Sequence, residues 1–333
     1  MALPVQGKAA TAETAPQPTG AVAQRCRRTR EDRCPGVLRQ FPAADGHLAR
    51  IRTPGGRVSA AQLEAVARAA GELGNGVIEL TSRANLQLRG LGRSDGPRLA
   101  ELLASCGLFP SASHDRVRNV LASPLAGRHP TAQGSCDPLL RALDRGICAK
   151  PALAALSGRF LFAIEDGSGI GMRADWDLAA VAVGKGWLLG IAGTLWQRPQ
   201  RGPLAEGEIV ELLLVAAKAF LELRERLGLT AWRLVDLEGA ETHLATALGL
   251  VPAAITPPTP KRLEEGALRQ RDGLYALTVR TPQGRITPEV ARALSRIAPG
   301  GVRLSPERTL TVLDVPPAEH RHLFSLLQEV VCS

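Results

Sequence analysis

Aromatic residues make up only 3% of this 333-residue chain, and it has a single tyrosine, Tyr275. A protein that binds single-stranded nucleic acid needs rings on which bases can stack. Nucleic acid is therefore not an expected partner, despite a formal net charge of +9. Lysine is scarce as well: Lys8, Lys150, Lys185, Lys218 and Lys261 are the only ones, and the rest of the 41 basic residues are arginine. GC-rich codon usage explains such a bias as well as function does. No apolar run reaches the roughly 18 residues of a membrane span. The nearest, residues 209–223, is broken by Glu211, Lys218 and Glu222, so no membrane partner is expected. The N-terminus lacks the apolar core of a secretory signal, and a cytoplasmic protein is expected. Six cysteines occur (Cys26, Cys34, Cys106, Cys136, Cys148 and Cys332), with none of the tight spacings that bring neighbouring thiolates to one metal. Taken alone, they read as reduced, partly buried thiols without a metal site.

What the chain does contain is one passage written twice. Leu48–Ala49–Arg50–Ile51–Arg52–Thr53–Pro54–Gly55–Gly56–Arg57–Val58–Ser59 returns as Ala276–Leu277–Thr278–Val279–Arg280–Thr281–Pro282–Gln283–Gly284–Arg285–Ile286–Thr287, 228 residues later. Leu80–Thr81–Ser82–Arg83–Ala84–Asn85–Leu86 returns as Leu304–Ser305–Pro306–Glu307–Arg308–Thr309–Leu310, 224 residues later. Two related modules imply a pseudo-twofold body with a site between the halves. The arginines point to a large polyanion as its ligand.

The expected fold class is α+β: two ferredoxin-like half modules related by the repeat, with an α/β middle domain. Residues 1–33 read as a disordered tail carrying Arg25, Arg27, Arg28 and Arg30. The first half module is expected over 34–112. There a strand at 47–53 follows the Asp45–Gly46 turn, and Ser59 with Gln62 forms a capping-box pattern before an apolar stripe of Leu63, Val66 and Ala70. Strands at 77–80 and 85–88 and a helix at 96–105 complete the β-α-β-β-α order. The middle domain is expected over 113–250, a linker over 251–272 and the second half module over 273–333, with Pro288 at the first position of a helix.

Arg50 and Arg52 are two apart on one strand and so share a face, while Ile51 points to the core. Two arginines in line either face water or grip anions. Asn85, Gln87 and Arg89 take one face of the neighbouring strand and Leu86 and Leu88 the other, with Arg83 at the preceding turn. Paired, these strands would make a basic, hydrogen-bonding floor on which the planar arginine fork suits a carboxylate. Arg116, Arg118 and Asn119 form a second group, and Arg159 precedes an apolar strand. Other signals carry less. Gly167–Ser168–Gly169–Ile170–Gly171 lacks the dinucleotide fingerprint and reads as a flexible hairpin. His320 and His322 fall on different helix faces. Glu165–Asp166 and Asp175 with Asp177 have no partner that would make an acid–base pair.

Together these segments resemble the nitrite/sulfite reductase family, and most closely its cobalamin-pathway branch. The matching residues are Cys34–Pro35–Gly36, Asp45–Gly46–His47–Leu48, the Arg50/Arg52–Thr53–Pro54–Gly55–Gly56 strand end and Gly74–Asn75–Gly76. To these are added Leu80 to Gly90 and Arg118–Asn119–Val120–Leu121–Ala122–Ser123–Pro124–Leu125–Ala126–Gly127. The resemblance covers residues 34–330 and implies ferredoxin-like halves and companion domains enclosing a tetrapyrrole. By resemblance, Arg50 or Arg52, Arg83 and Arg118 hold tetrapyrrole carboxylates or a small anion, and Thr81, Gln87 and Asn119 hydrogen-bond the ligand rim. Arg159 falls where the reductases carry a lysine, and Leu161 replaces a second basic residue. That replacement argues against sulfite or nitrite reduction, which needs a dense positive site.

The activity implied is that of an oxidoreductase which hydroxylates precorrin-3A with O2 and closes a lactone, fed by an electron donor. A [4Fe–4S] cluster and iron are implied as cofactors. The family's cysteine spacing, roughly C-x5-C and C-x3-C after the second half, is absent, and Cys332 is a lone terminal thiol. The expectation is a truncated sequence or a homologue without the cluster. The alternatives are a non-catalytic tetrapyrrole-binding protein and a sulfite or nitrite reductase fragment holding sirohaem.

Overall fold

The computed structural model describes residues 22–24, 32–172 and 175–332. The two repeats build two antiparallel five-stranded sheets. In the first, Phe41–Ala43, Gly46–Ile51, Leu86–Leu91 and Ile78–Leu80 lie side by side, and Arg285–Ile286 from the second repeat closes the edge. In the second, Gly266–Arg269, Tyr275–Arg280, Thr309–Val315 and Val302–Leu304 are closed by Arg57–Val58 from the first repeat. The lent strands are the repeat counterparts of each other, so the exchange is reciprocal and the body is pseudo-twofold. Glycine makes the crossing possible. Gly56 and Gly301 both have positive φ, and a Cβ on them would meet the Leu304 and Val58 carbonyl oxygens at 2.3 and 2.2 Å.

Helices back each sheet. Ala60–Glu72 begins with the expected capping box: Ser59 Oγ accepts from the Gln62 amide and Gln62 Oε1 from the Ser59 amide. Its stripe of Leu63, Val66, Ala67 and Ala70 is buried against the sheet and against Pro288–Ile297, its repeat counterpart. Thr287 caps that second helix and Pro288 opens it, as the sequence predicts. Gly96–Ala104 and His320–Cys332 complete the two halves.

The middle domain is a six-stranded mixed sheet. Val120–Ala122, Phe162–Glu165 and Leu178–Val183 run parallel, and Gly186–Ile191, Thr194–Gln197 and Val251–Pro252 continue antiparallel. Cys136–Ala149 and Glu206–Arg226 pack on one face of it.

Three stretches differ from expectation. Within the expected linker, Val251–Pro252 pairs with the middle sheet and Gly266–Arg269 with Tyr275–Arg280. Edge strands with one alternating, half-exposed face carry a weak hydrophobic signal, and this pair escapes it. Within the expected tail, Ala23–Gln24 pairs with Leu237–Glu238, and Asp32 is buried. Arg25, Arg27, Arg28 and Arg30 lie outside the described residues. The Gly167–Gly171 loop is not a free hairpin: Gly169 and Gly171 exchange backbone hydrogen bonds with Lys261.

Candidate anion-binding cleft

The backbone register places the site. Arg50 stands opposite Gln87 across the Gly46–Ile51 and Leu86–Leu91 strands, while Ile51 is fully buried on the other face. Arg50 Nη2 donates to Gln87 Oε1 at 2.9 Å, and Gln87 Nε2 donates to Glu79 at 2.6 Å. Gln87 thus holds Arg50 from behind. Arg52 is wholly buried and donates to the carbonyl oxygens of Arg116 and Gly158, both at 3.2 Å. Between the two arginines sits Cys34, its Sγ 3.6 Å from Arg50 Nη1 and 3.4 Å from Arg52 Nη2. Burial works against its ionisation, but Arg52 and then Arg50 outweigh it and bring the thiol below its ordinary range.

The 81–85 turn forms the adjoining wall. Thr81 Oγ1 accepts from the Arg83 and Asn85 amides, and Ala84 takes a left-handed φ of 53°. Asn85 turns inward, accepting from the Thr53 amide and donating to Asn119 Oδ1. Asn119 in turn donates to the Phe160 carbonyl, so both asparagines brace the floor. Arg83 Nη1 donates to the Arg159 carbonyl at 3.0 Å. Burial, then repulsion from Arg233, pulls the Arg83 guanidinium down to about 10.

Arg159 closes the far side, its guanidinium over the Trp232 ring and its Nε 3.7 Å from Asp32. Asp32 is the hinge pin of this corner. It accepts from the Cys34 and Gly158 amides, the Ser157 hydroxyl and Arg116. Burial alone would raise its carboxyl, yet these donors hold it below the usual carboxylate range.

The result is an open cleft of about 530 Å³, lined by Arg33, Cys34, Arg50, Thr81, Arg83 and Arg159 with Phe41 and Leu48 as apolar surface. Among the described residues, no carboxylate lies within ion-pair distance of Arg50 or Arg83. Arg50 Nε and Arg52 Nη1 are buried and lack acceptors. Unmatched buried donors of one sign are what an anionic ligand satisfies. A second cavity, of about 430 Å³, also contains arginines, but there Arg128 pairs with Asp314 and Asp137, and Arg303 with Asp137.

Arg50, Thr81, Arg83 and Arg159 therefore meet at one cleft. Gln87, Asn119 and Arg52 stand behind it. Arg118 does not join them. It is buried and turned the other way, donating to both Asp144 oxygens at 2.7 and 2.8 Å and to the Leu108 carbonyl. The cleft also does not lie between the two halves. It opens between the first half and the middle domain, and the second repeat keeps no matching set of free cations among the described residues. Thr278 stands for Arg50 and bonds Thr311, Arg280 pairs with Glu265, and Glu307 stands for Arg83. Sequence reasoning gave no site role to Cys34, Arg33 or Asp32. The Cys34–Pro35–Gly36 motif was the available signal for the first.

Among the described residues, no three Cys, His, Asp or Glu side chains gather where they could hold a metal ion. The cluster implied by resemblance therefore has no ligand set in this part of the chain. No helix among the described residues is long and apolar enough to cross a membrane.

Fold and cleft together define a duplicated ferredoxin-like protein with a basic cleft on one half. Residues 41–106 and 267–330 each match the nitrite/sulfite reductase ferredoxin-like half domain. Both halves of the repeat thus carry the ferredoxin-like half domain of nitrite/sulfite reductases. It is 30% identical over 64% of its length to a precorrin-3B synthase of Sinorhizobium, covering 45% of that protein. It is 29% identical over 82% of its length to a ferredoxin–nitrite reductase of Synechococcus elongatus, covering 59% of it. The solved NirA protein of Mycobacterium tuberculosis shares the fold, with a TM-score of 0.66, 22% identity and coverage of 85% of this chain and 56% of that one. The chain thus spans about half the length of the curated relatives it matches.

Proposed function

We propose that the cleft binds a carboxylated tetrapyrrole, and that the chain serves a precorrin-3B synthase-like oxidoreductase of cobalamin biosynthesis. The observation that carries the reading is the pair of guanidinium groups, Arg50 and Arg83, that meet no carboxylate among the described residues and line a cleft flanked by Phe41 and Leu48. A macrocycle ringed with carboxylates offers both an apolar face and several anions to such a surface. Arg50 and Arg83 bind carboxylates, Thr81 serves the rim, and Arg159, half exposed, lines the opening. Gln87, Asn85 and Asn119 fix the geometry from behind. In the whole reaction, precorrin-3A would be hydroxylated by O2 and lactonised, with electrons from a donor protein. Iron and a [4Fe–4S] cluster would supply that redox chemistry, and no step is assigned to a cluster on the residues described.

Leu161 favours this reading over sulfite or nitrite reduction. It is fully buried in the core, with its amide tied to Asp177, so no second cation reaches the cleft from that position. An absorbance titration with an octacarboxylate porphyrin tests the proposal. Saturable binding that weakens with salt and falls about tenfold in Arg83→Ala is expected. Absence of binding, or equal binding by Arg83→Ala, overturns it.

A further inference from the structure

The tetrapyrrole reading gives Cys34 no role, yet the fold surrounds its sulfur with positive charge. Arg52 is wholly buried and points its guanidinium at Sγ, and its Nη1 has no acceptor. Arg50 approaches from the cleft side, with its own Nε unpartnered. Asp32 is the acidic group nearest the sulfur's environment, but its oxygens are taken by the Cys34 and Gly158 amides, Ser157 and Arg116. Two cations sharing one sulfur, Arg52 wholly buried and Arg50 partly so, are best satisfied when that sulfur is an anion. Buried Cys136 and the partly buried Cys106 and Cys148 behave differently: burial pushes all three upward and no arginine outweighs it. Cys34 also lines the cleft, so a small molecule that enters can reach it.

We propose that Cys34 is a covalent modification site, a thiolate nucleophile on the cleft wall that selects small electrophiles bearing a carboxylate. The electrophile's carboxylate lies among Arg50, Arg83 and Arg159. The sulfur lone pair attacks the carbon that carries the leaving group. A carbon–sulfur bond forms, the carbon–halogen bond of a haloacetate breaks, and the halide leaves with the electron pair. The thiol proton has already gone to solvent. The proposal stands on the arginines and the sulfur, not on the identity of the large ligand, so it can fail or hold independently of the tetrapyrrole reading.

Iodoacetate and iodoacetamide differ in charge and hardly in size, which makes them the probes. The full chain is treated with each, and labelling at every cysteine is followed by peptide mass spectrometry, with free cysteine in the same solution as reference. The expected iodoacetate-to-iodoacetamide rate ratio at Cys34 is on the order of tenfold above that of free cysteine. Its labelling is also expected to fall less steeply than that of free cysteine between pH 8 and pH 6. Arg50→Gln should bring the ratio down several-fold, and Arg50→Lys should restore part of it. A Cys34 ratio equal to that of free cysteine overturns the proposal. So does a Cys34 that stays unlabelled while Cys106 and Cys148 react. The parent protein alone decides the matter if the variants fail to fold.

Discussion

Arg118 and Asp144 face each other through two parallel hydrogen bonds of 2.7 and 2.8 Å, with the arginine almost fully buried and the carboxylate partly open to solvent. Burial acts against the charge on Arg118, and Asp144 more than compensates, raising the guanidinium above its ordinary value. The pair ties the segment before Val120–Ala122 to the Cys136–Ala149 helix. Arg118→Ala should therefore cost about 3 kcal/mol of stability, as the loss of one partner of a buried pair does. Urea unfolding reads that loss directly. The folded fraction should bind a carboxylated porphyrin as tightly as the parent, and a tenfold loss of affinity would return Arg118 to the ligand.

Arg83 should behave in the opposite way. Among the described residues its guanidinium donates to one carbonyl, so Arg83→Ala should shift stability by less than about 1 kcal/mol. Its pH dependence is distinctive. Because burial and Arg233 pull the group down to about 10, its charge is present below that pH and is lost as pH rises through it. Affinity for a carboxylate ligand should decline near pH 10, well before an ordinary arginine titrates. In Arg83→Ala that decline should be absent from an absorbance titration run across the same range.

Glu165 supplies a stability test remote from the cleft. Burial, and then the neighbouring Asp166, raise its carboxyl to about 8 from the ordinary 4.5. A carboxyl with a raised folded-state value binds its proton more tightly when folded. Its contribution is thus complete below about 4.5 and disappears as pH climbs to about 8. Glu165→Gln keeps an oxygen for the Gly167 and Gly169 amides and removes the charge. The variant should gain on the order of 2 kcal/mol over the parent at pH 8.5 and almost nothing at pH 4.5, measured by thermal unfolding at both.

Asp32 can be tested by mutation too. Asp32→Ala strips acceptors from two amides, a hydroxyl and Arg116, and should destabilise the chain by about 3 kcal/mol. It should also free the Cys34–Pro35–Gly36 turn, seen as faster amide exchange at Cys34 and Gly158 than at Ile51. Equal exchange rates at these positions would show that Asp32 does not organise this corner.

Much of this was readable from the residues. The repeat predicted two related halves because strand alternation and capping are local signals, and Ser59, Gln62, Thr287 and Pro288 take the roles their spacing implies. Arg50 and Arg83 could be placed for the same reason: strand register and turn position fix which way they point. Arg118 could not. Whether a buried arginine serves a ligand or a carboxylate depends on Asp144, 26 residues away on a helix whose packing no spacing reveals. Asp32 was hidden by the Ala- and Pro-rich composition before it, and its partners at Ser157 and Gly158 are more than a hundred residues distant. The loss of the second site was legible in Glu307 and Thr278, but only once Arg83 and Arg50 were known to line the first.

The reciprocal loan of Arg57–Val58 and Arg285–Ile286 bears on how the chain tolerates being cut. A nick in the connection near Lys261 leaves two pieces, each with a raw sheet border and each carrying the tongue that seals the other. Such fragments are partners by construction. Co-expressed, they are expected to reassemble into one body, whereas either piece alone would offer its open border to whatever strand it meets.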